Sequence, residues 1–210
     1  FAGDLLLRPA GLIGDGIMSL EKAKVTSNLF TYNANWFEGD TTGLRVFEDG
    51  GNVAIKANNI KSHIDLVIRE GTFYSNGSNS SDSSYVEFPA NQYISYIDQL
   101  HWAMDEESFM LGNDKGGDGS RFVSLQDSLS FMAKTADYSL KDYVIYAGGI
   151  NELSIADAVI YPDSGLLNIE KEGVIQTLHN SRILVDDLTE YHTFTNAIIA
   201  YEPIWAIGSG

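Results

Sequence analysis

The 210-residue chain has no cysteine, which excludes disulfides and thiolate metal sites and leaves the redox compartment open. Basic side chains are also scarce. Thirteen Lys and Arg stand against 29 Asp and Glu, for a formal net charge of −16. Such a surface repels phosphate backbones and anionic lipids, so neither nucleic acid nor a membrane surface is an expected partner. No run of 18 or more apolar residues occurs, so no membrane-spanning helix is expected. Residues 1–10 have neither the basic flank nor the apolar core of a signal peptide. The four histidines, His63, His101, His179 and His192, lack metal-ligand spacing, and Asp114, Asp118 and Asp127 do not follow an EF-hand pattern. Neither a metal nor any other cofactor is expected.

What is present points to a globular protein. Hydrophobic residues make up 44% and aromatics 11%, enough for a sizeable core and too much for a mainly disordered chain. The length accommodates one domain, or a small one plus a medium one. Asn, Ser, Gly and Tyr are abundant while Lys is scarce, a composition common in extracellular and virion proteins, and such a location is the expectation.

Residues 1–62 read as a small β-rich region. Leu44–Phe47 and Asn52–Lys56 alternate in polarity around Glu48-Asp49-Gly50-Gly51, where glycine supplies the positive φ of a hairpin turn. Residues 63–210 read differently. Apolar strands are expected at Ile64–Ile68, Asp142–Ala147 and Ala197–Tyr201. Helical spacing is expected over Tyr93–Met104, Phe122–Ala136 and Ile169–Leu188. Strands alternating with helices imply an α/β fold: a three-layer sandwich with a mostly parallel sheet, ligands gathering at the carboxyl ends of the strands.

The strand-end loops supply the motifs. Tyr143–Glu152 (YVIYAGGINE) carries Gly148-Gly149-Ile150-Asn151, and an upstream loop carries Gly116-Gly117. In order and spacing these resemble the SGNH hydrolases, particularly those of phage tail and fibre proteins. The resemblance implies an oxyanion hole from Gly117 and the Asn151 side chain, and hydrolysis of esters on acylated carbohydrate. Where that family has Gly-Asp-Ser the chain reads Gly71-Thr72-Phe73, and His192 with Asp187 lacks the Asp-x-x-His spacing. The resemblance is therefore to a degenerate member.

A second resemblance is local. Ala200–Gly210 (AYEPIWAIGSG) resembles the triosephosphate isomerase signature, which implies Glu202 as a general base and the following residues as a closing lid. Asn35-Trp36-Phe37 and Leu111-Gly112-Asn113 weakly resemble two other motifs of that family, with Phe37 and Asn113 replacing its lysine and histidine. Taken together, the expected partners are a glycan or another structural subunit. The chain is expected to be a homo-oligomer, with residual ester hydrolysis, pure assembly and a divergent isomerase-like barrel as competing functions. Tyr32, Trp36, Tyr85, Tyr93, Tyr96 and Trp102 are the aromatics available for stacking on sugars.

Overall fold

In a computed structural model, residues 1–76, 85–97, 99–112, 119–185 and 192–201 are described. They form an all-β protein, 67% strand, whose only helical elements are the single 3-10 turns Pro89–Asn91 and Lys171–Gly173. The expected α/β sandwich with a parallel sheet is overturned, because every strand pairing is antiparallel.

The first five strands form a meander: β1 (Ala2–Arg8), β2 (Gly11–Ser19), β3 (Ala23–Tyr32), β4 (Trp36–Phe47) and β5 (Val53–Asp65). The hairpin around Glu48–Gly51 is present as the β4–β5 connection, where the Gly51 N–H donates to the Glu48 carbonyl at 2.9 Å. Each of the inner strands changes phase midway. In β3 the buried positions are Ala23, Val25 and Ser27, then Phe30. In β4 they are Phe37 and Gly39, then Thr42, Leu44 and Val46. In β5 they are Ala54, Ile55 and Ala57, then Ile60, Ser62 and Ile64. Two consecutive exposed residues stand at each change: Asn28-Leu29, Asp40-Thr41 and Asn58-Asn59. The register shifts at these places in the β2–β3 and β4–β5 pairings, while β3 and β4 keep a single register on either side of theirs, so a row of bulges and interrupted pairing crosses the sheet. Bulges bend a strand and re-aim its side chains.

The bulge row is where the sheet forks. Beyond it, Ile60–Asp65 of β5 pair with β6 (Glu70–Ser75). Before it, Lys56 and Ala57 pair with β7 (Tyr85–Phe88). The chain then adds strands to two arms in turn. The first arm runs β6, β9 (Gln99–Ala103), β10 (Ser108–Leu111), β13 (Thr135–Ser139), β14 (Val144–Gly148) and β17 (Leu166–Ile169). The second runs β7, β8 (Tyr93–Tyr96), β11 (Ser120–Ser124), β12 (Ser130–Ala133), β15 (Leu153–Ile155), β16 (Ala158–Tyr161), β18 (Leu178–Val185) and β19 (His192–Ile199). One apolar core joins both arms to the meander, from Ala23 to Ile175. Phe88 of the second arm meets Tyr138 of the first at 5.0 Å between ring centroids. Asn91, fully buried, donates from its side-chain amide to the Tyr143 carbonyl at 2.8 Å and the Ile169 carbonyl at 3.0 Å, tying the second arm to the first. The expected division between residues 62 and 63 falls inside β5.

The three expected helices are strands for a readable reason. In Tyr93–Met104 the buried side chains are Tyr93, Ser95 and Ile97, then Leu100 and Trp102. In Phe122–Ala136 they are Phe122 and Ser124, then Leu129, Phe131 and Ala133, with Ala136 opening the inward set of the next strand. Both follow the two-residue period of a strand, with small polar serines occupying inward positions. Over Ile169–Leu188 the described residues form the second 3-10 turn and β18. The expected strands also differ. Leu66, Val67 and Ile68 lie exposed in the β5–β6 turn, held by the Asp65 carboxylate accepting from the Val67 and Ile68 N–H groups. Of the expected strand Asp142–Ala147, Val144–Ala147 lie in β14, which pairs antiparallel with β13 and β17. The last expected strand overlaps β19, which is exposed, with Ile198 71% accessible.

Candidate functional site

The Gly-Gly-Ile-Asn element sits where β14 ends. Gly149 adopts φ +67, and the buried Ile150 donates its N–H to the Gly165 carbonyl at 3.0 Å. Asn151 and Glu152 consequently project from the turn and are exposed. The neighbouring connection between β12 and β13 consists of Lys134, whose N–H donates to the Gly148 carbonyl at 2.9 Å. The aliphatic stem of Lys134 lies across Gly149. A Cβ added to Gly149 would come within 2.7 to 2.9 Å of the Lys134 Cβ, Cγ and Cδ. A residue without a side chain is therefore required to seat this lysine.

These groups line one side of an open groove of about 400 Å³. Arg121 of β11, Met132 and Ser130 of β12, and Ser154 of β15 complete it. Ser130 stands opposite Ser154 in the β12–β15 register. Arg121 and Lys134 are both exposed, and neither forms an ion pair among the described residues. Glu152 is the one carboxylate on the groove against these two cations, so in a chain of net charge −16 the groove carries a local excess of positive charge.

The groove continues onto an aromatic row. Tyr85 of β7, Tyr96 of β8, Arg121 of β11 and Met132 of β12 lie side by side across four strands. The Tyr85 and Tyr96 ring centroids are 6.3 Å apart, and the Arg121 guanidinium stands 6.0 Å from the Tyr96 ring. All four are partly or fully exposed. Cross-strand register thus places ring faces, a fork of N–H donors, hydroxyls and an amide on one outer surface.

A second, smaller cavity of about 110 Å³ lies between turns, lined by Leu20, Lys22, Arg69, Trp102 and Glu107 among others. Its cations are already neutralised. Lys22 pairs with Asp49 at 3.0 Å and Glu107 at 2.5 Å, and Arg69 pairs with Asp105 at 2.5 Å and Glu21 at 3.5 Å. The hydrogen bond to Glu107, then that to Asp49, raises the Lys22 pKa well above its ordinary value. This cluster reads as a structural clasp between turns.

Of the residues singled out from sequence, Asn151 lies in the larger groove, whereas Gly117 and Glu202 fall outside the described residues. Phe73, at the place of the SGNH nucleophile, is fully buried in β6. Sequence reasoning missed Arg121, Lys134, Ser130 and Ser154. The one available signal was the scarcity of basic residues, which makes each unpaired one informative.

Compared with known families, the pattern of triosephosphate isomerase matches residues 170–210, less than half of the chain. No curated protein and no solved structure matches. The described part of that segment forms the Lys171–Gly173 turn and the β18–β19 antiparallel hairpin. The isomerase family instead folds as parallel strands alternating with helices, so the local match does not carry its barrel here. Trp36 and Phe37, from a weaker match, lie in β4, Trp36 beside the His63 ring and Phe37 in the core. The SGNH resemblance is overturned by the same finding: the described residues form antiparallel strands and two 3-10 turns, with no three-layer α/β frame among them in which GGIN could follow a parallel strand.

Proposed function

We propose that the chain is a glycan-binding β-module of an extracellular or virion appendage, and that it binds through the groove and aromatic row of its second arm. The observation that supports this most is the pair Arg121 and Lys134, which outnumber the groove's one carboxylate, Glu152, and stand adjacent to Asn151, Ser130, Ser154 and two tyrosine faces. Sugars are recognised by stacking of their C–H faces on aromatic rings and by hydrogen bonds to planar polar side chains. The two cations add affinity for a carboxylate, so the ligand is an acidic glycan bearing uronate or a similar sugar acid. The groove is open, which suits binding along a chain of sugars.

The experiment is a glycan array probed with purified protein at physiological salt. Retention of carboxylate-bearing glycans, and its loss on reduction of the carboxylates to alcohols, is the expected result. Uniform absence of binding, or equal retention of neutral glycans, would remove the proposal.

A further inference from the structure

We infer that the chain self-associates through the free edge of β1, as an antiparallel two-fold pair with Leu6 at the axis. This rests on a different surface from the groove and is independent of the glycan reading.

All seven residues of β1 are exposed, and among the described residues β1 pairs only with β2. Leu5, Leu6 and Leu7 are 54, 50 and 80% accessible. An exposed apolar edge strand is a template for a further strand unless it is blunted by charge. Here the strand carries just two charges, Asp4 and Arg8, and their placement is self-complementary. With Leu6 opposite the partner's Leu6, Leu5 faces the partner's Leu7 and Asp4 faces the partner's Arg8. It is the one antiparallel register that sets both charge pairs opposite each other. Asp4, Leu6 and Arg8 then share one face, while four leucines share the other.

The hairpin itself leaves these charges unsatisfied. Asp4 stands directly opposite Asp15 across β1–β2, and Arg8 stands opposite Gly11. Neither Asp4 nor Arg8 forms an ion pair among the described residues. Like charges opposite each other are unfavourable in a sheet, and opposite charges favourable. The partner's Arg8 supplies the missing cation beside Asp4 and Asp15, and the partner's Asp4 supplies the missing anion beside Arg8. Chains of net charge −16 otherwise repel, so this match offsets a general opposition to self-association. A pair of short strands is a small interface, and the dimer is therefore weak and concentration-dependent.

The test is sedimentation of the full chain over a wide concentration range, with charge-swapped variants. Because β1 is exposed throughout, Asp4→Arg and Arg8→Asp should keep the wild-type melting temperature within a few degrees. Each alone sets like charges together and should weaken self-association roughly tenfold. An equimolar mixture of the two restores both complementary pairs and should form heterodimers, and the D4R/R8D double variant should self-associate as wild type does. Since the chain has no native cysteine, Leu6→Cys under oxidation should give a disulfide-linked dimer, because opposed residues of an antiparallel pair meet disulfide geometry. Leu7→Cys should not. A wild type that stays monomeric at all concentrations would overturn the inference. So would singles that fail to complement one another, or open-ended oligomers, which signify head-to-tail pairing of β1 with β19.

Discussion

The Thr42 hydroxyl, buried in β4, donates to the Ile60 carbonyl of β5 at 2.8 Å, at the bulge where the sheet divides into its two arms. One bulge across, the Ser27 hydroxyl makes 3.0 Å contacts with the Leu29 and Thr41 carbonyls. Bulges interrupt the ladder and leave main-chain groups without partners, and an unpaired buried carbonyl is costly. Two small hydroxyl side chains restore what the bulge row removes. The fork, and with it the placement of the groove, depends on this repair.

Thr42→Val keeps the shape of the side chain and removes its donor. The Ile60 carbonyl then loses this partner in the core, and stability should fall by about 1–3 kcal/mol. Thr42→Ser should retain most of it. Denaturant unfolding of the three proteins checks this, and equal stability of the valine and serine variants would show that the hydroxyl does not hold the bend.

Gly149→Ala acts twice. It places a side chain at φ +67, and it pushes a Cβ into the stem of Lys134. The expected cost is about 1 kcal/mol in stability. The expected loss of acidic-glycan affinity is similar to that of Lys134→Ala, because the lysine is displaced from the groove. A calorimetric titration separates the two effects: a variant stable by melting yet weak in binding supports the cradle, while unchanged binding argues against it.

A pH dependence follows from Asp142. Slight desolvation favours the neutral acid, but hydrogen bonds from Ser139 and from the Tyr146 hydroxyl, at 2.6 Å, outweigh this and lower its pKa below the usual carboxylate value. A carboxylate whose pKa is depressed by folding contributes stability above its unfolded pKa, about 3.9, and loses it as pH falls through the folded value. Tyr146→Phe should therefore destabilise the protein slightly at neutral pH, and the difference from wild type should vanish in strong acid. Because both side chains are exposed, the effect is small. A difference that grows with acidification would contradict the assignment.

Some of this architecture is legible in the residues and some is not. The β4–β5 hairpin is marked by its turn, since Gly50-Gly51 between alternating runs has few other uses. The bulge row is also written in the chain, as the polar pairs Asp40-Thr41 and Asn58-Asn59 inside otherwise alternating strands. The arms are harder. Tyr93, Ile94, Ile97 and Leu100 fit helical spacing as well as a strand, and the inward residue that decides the matter is Ser95, whose polarity hides it. Strands of four or five residues also give too short a pattern for period alone to separate the two. Of the site, Asn151 is visible because two glycines precede it. Arg121, Ser130 and Lys134 are brought to it by cross-strand register, which no local pattern records.

The measurement that tests the functional account most directly is a titration of the isotope-labelled protein with an oligouronate, followed by amide and side-chain NMR shifts. The account predicts perturbations at Arg121, Lys134, Asn151 and the Tyr85–Tyr96 row, and about tenfold weaker binding for Arg121→Ala or Lys134→Ala, in keeping with the loss of one charge-assisted hydrogen bond. Perturbations confined to other surfaces, or full affinity in the Arg121→Ala, Lys134→Ala double variant, would contradict it.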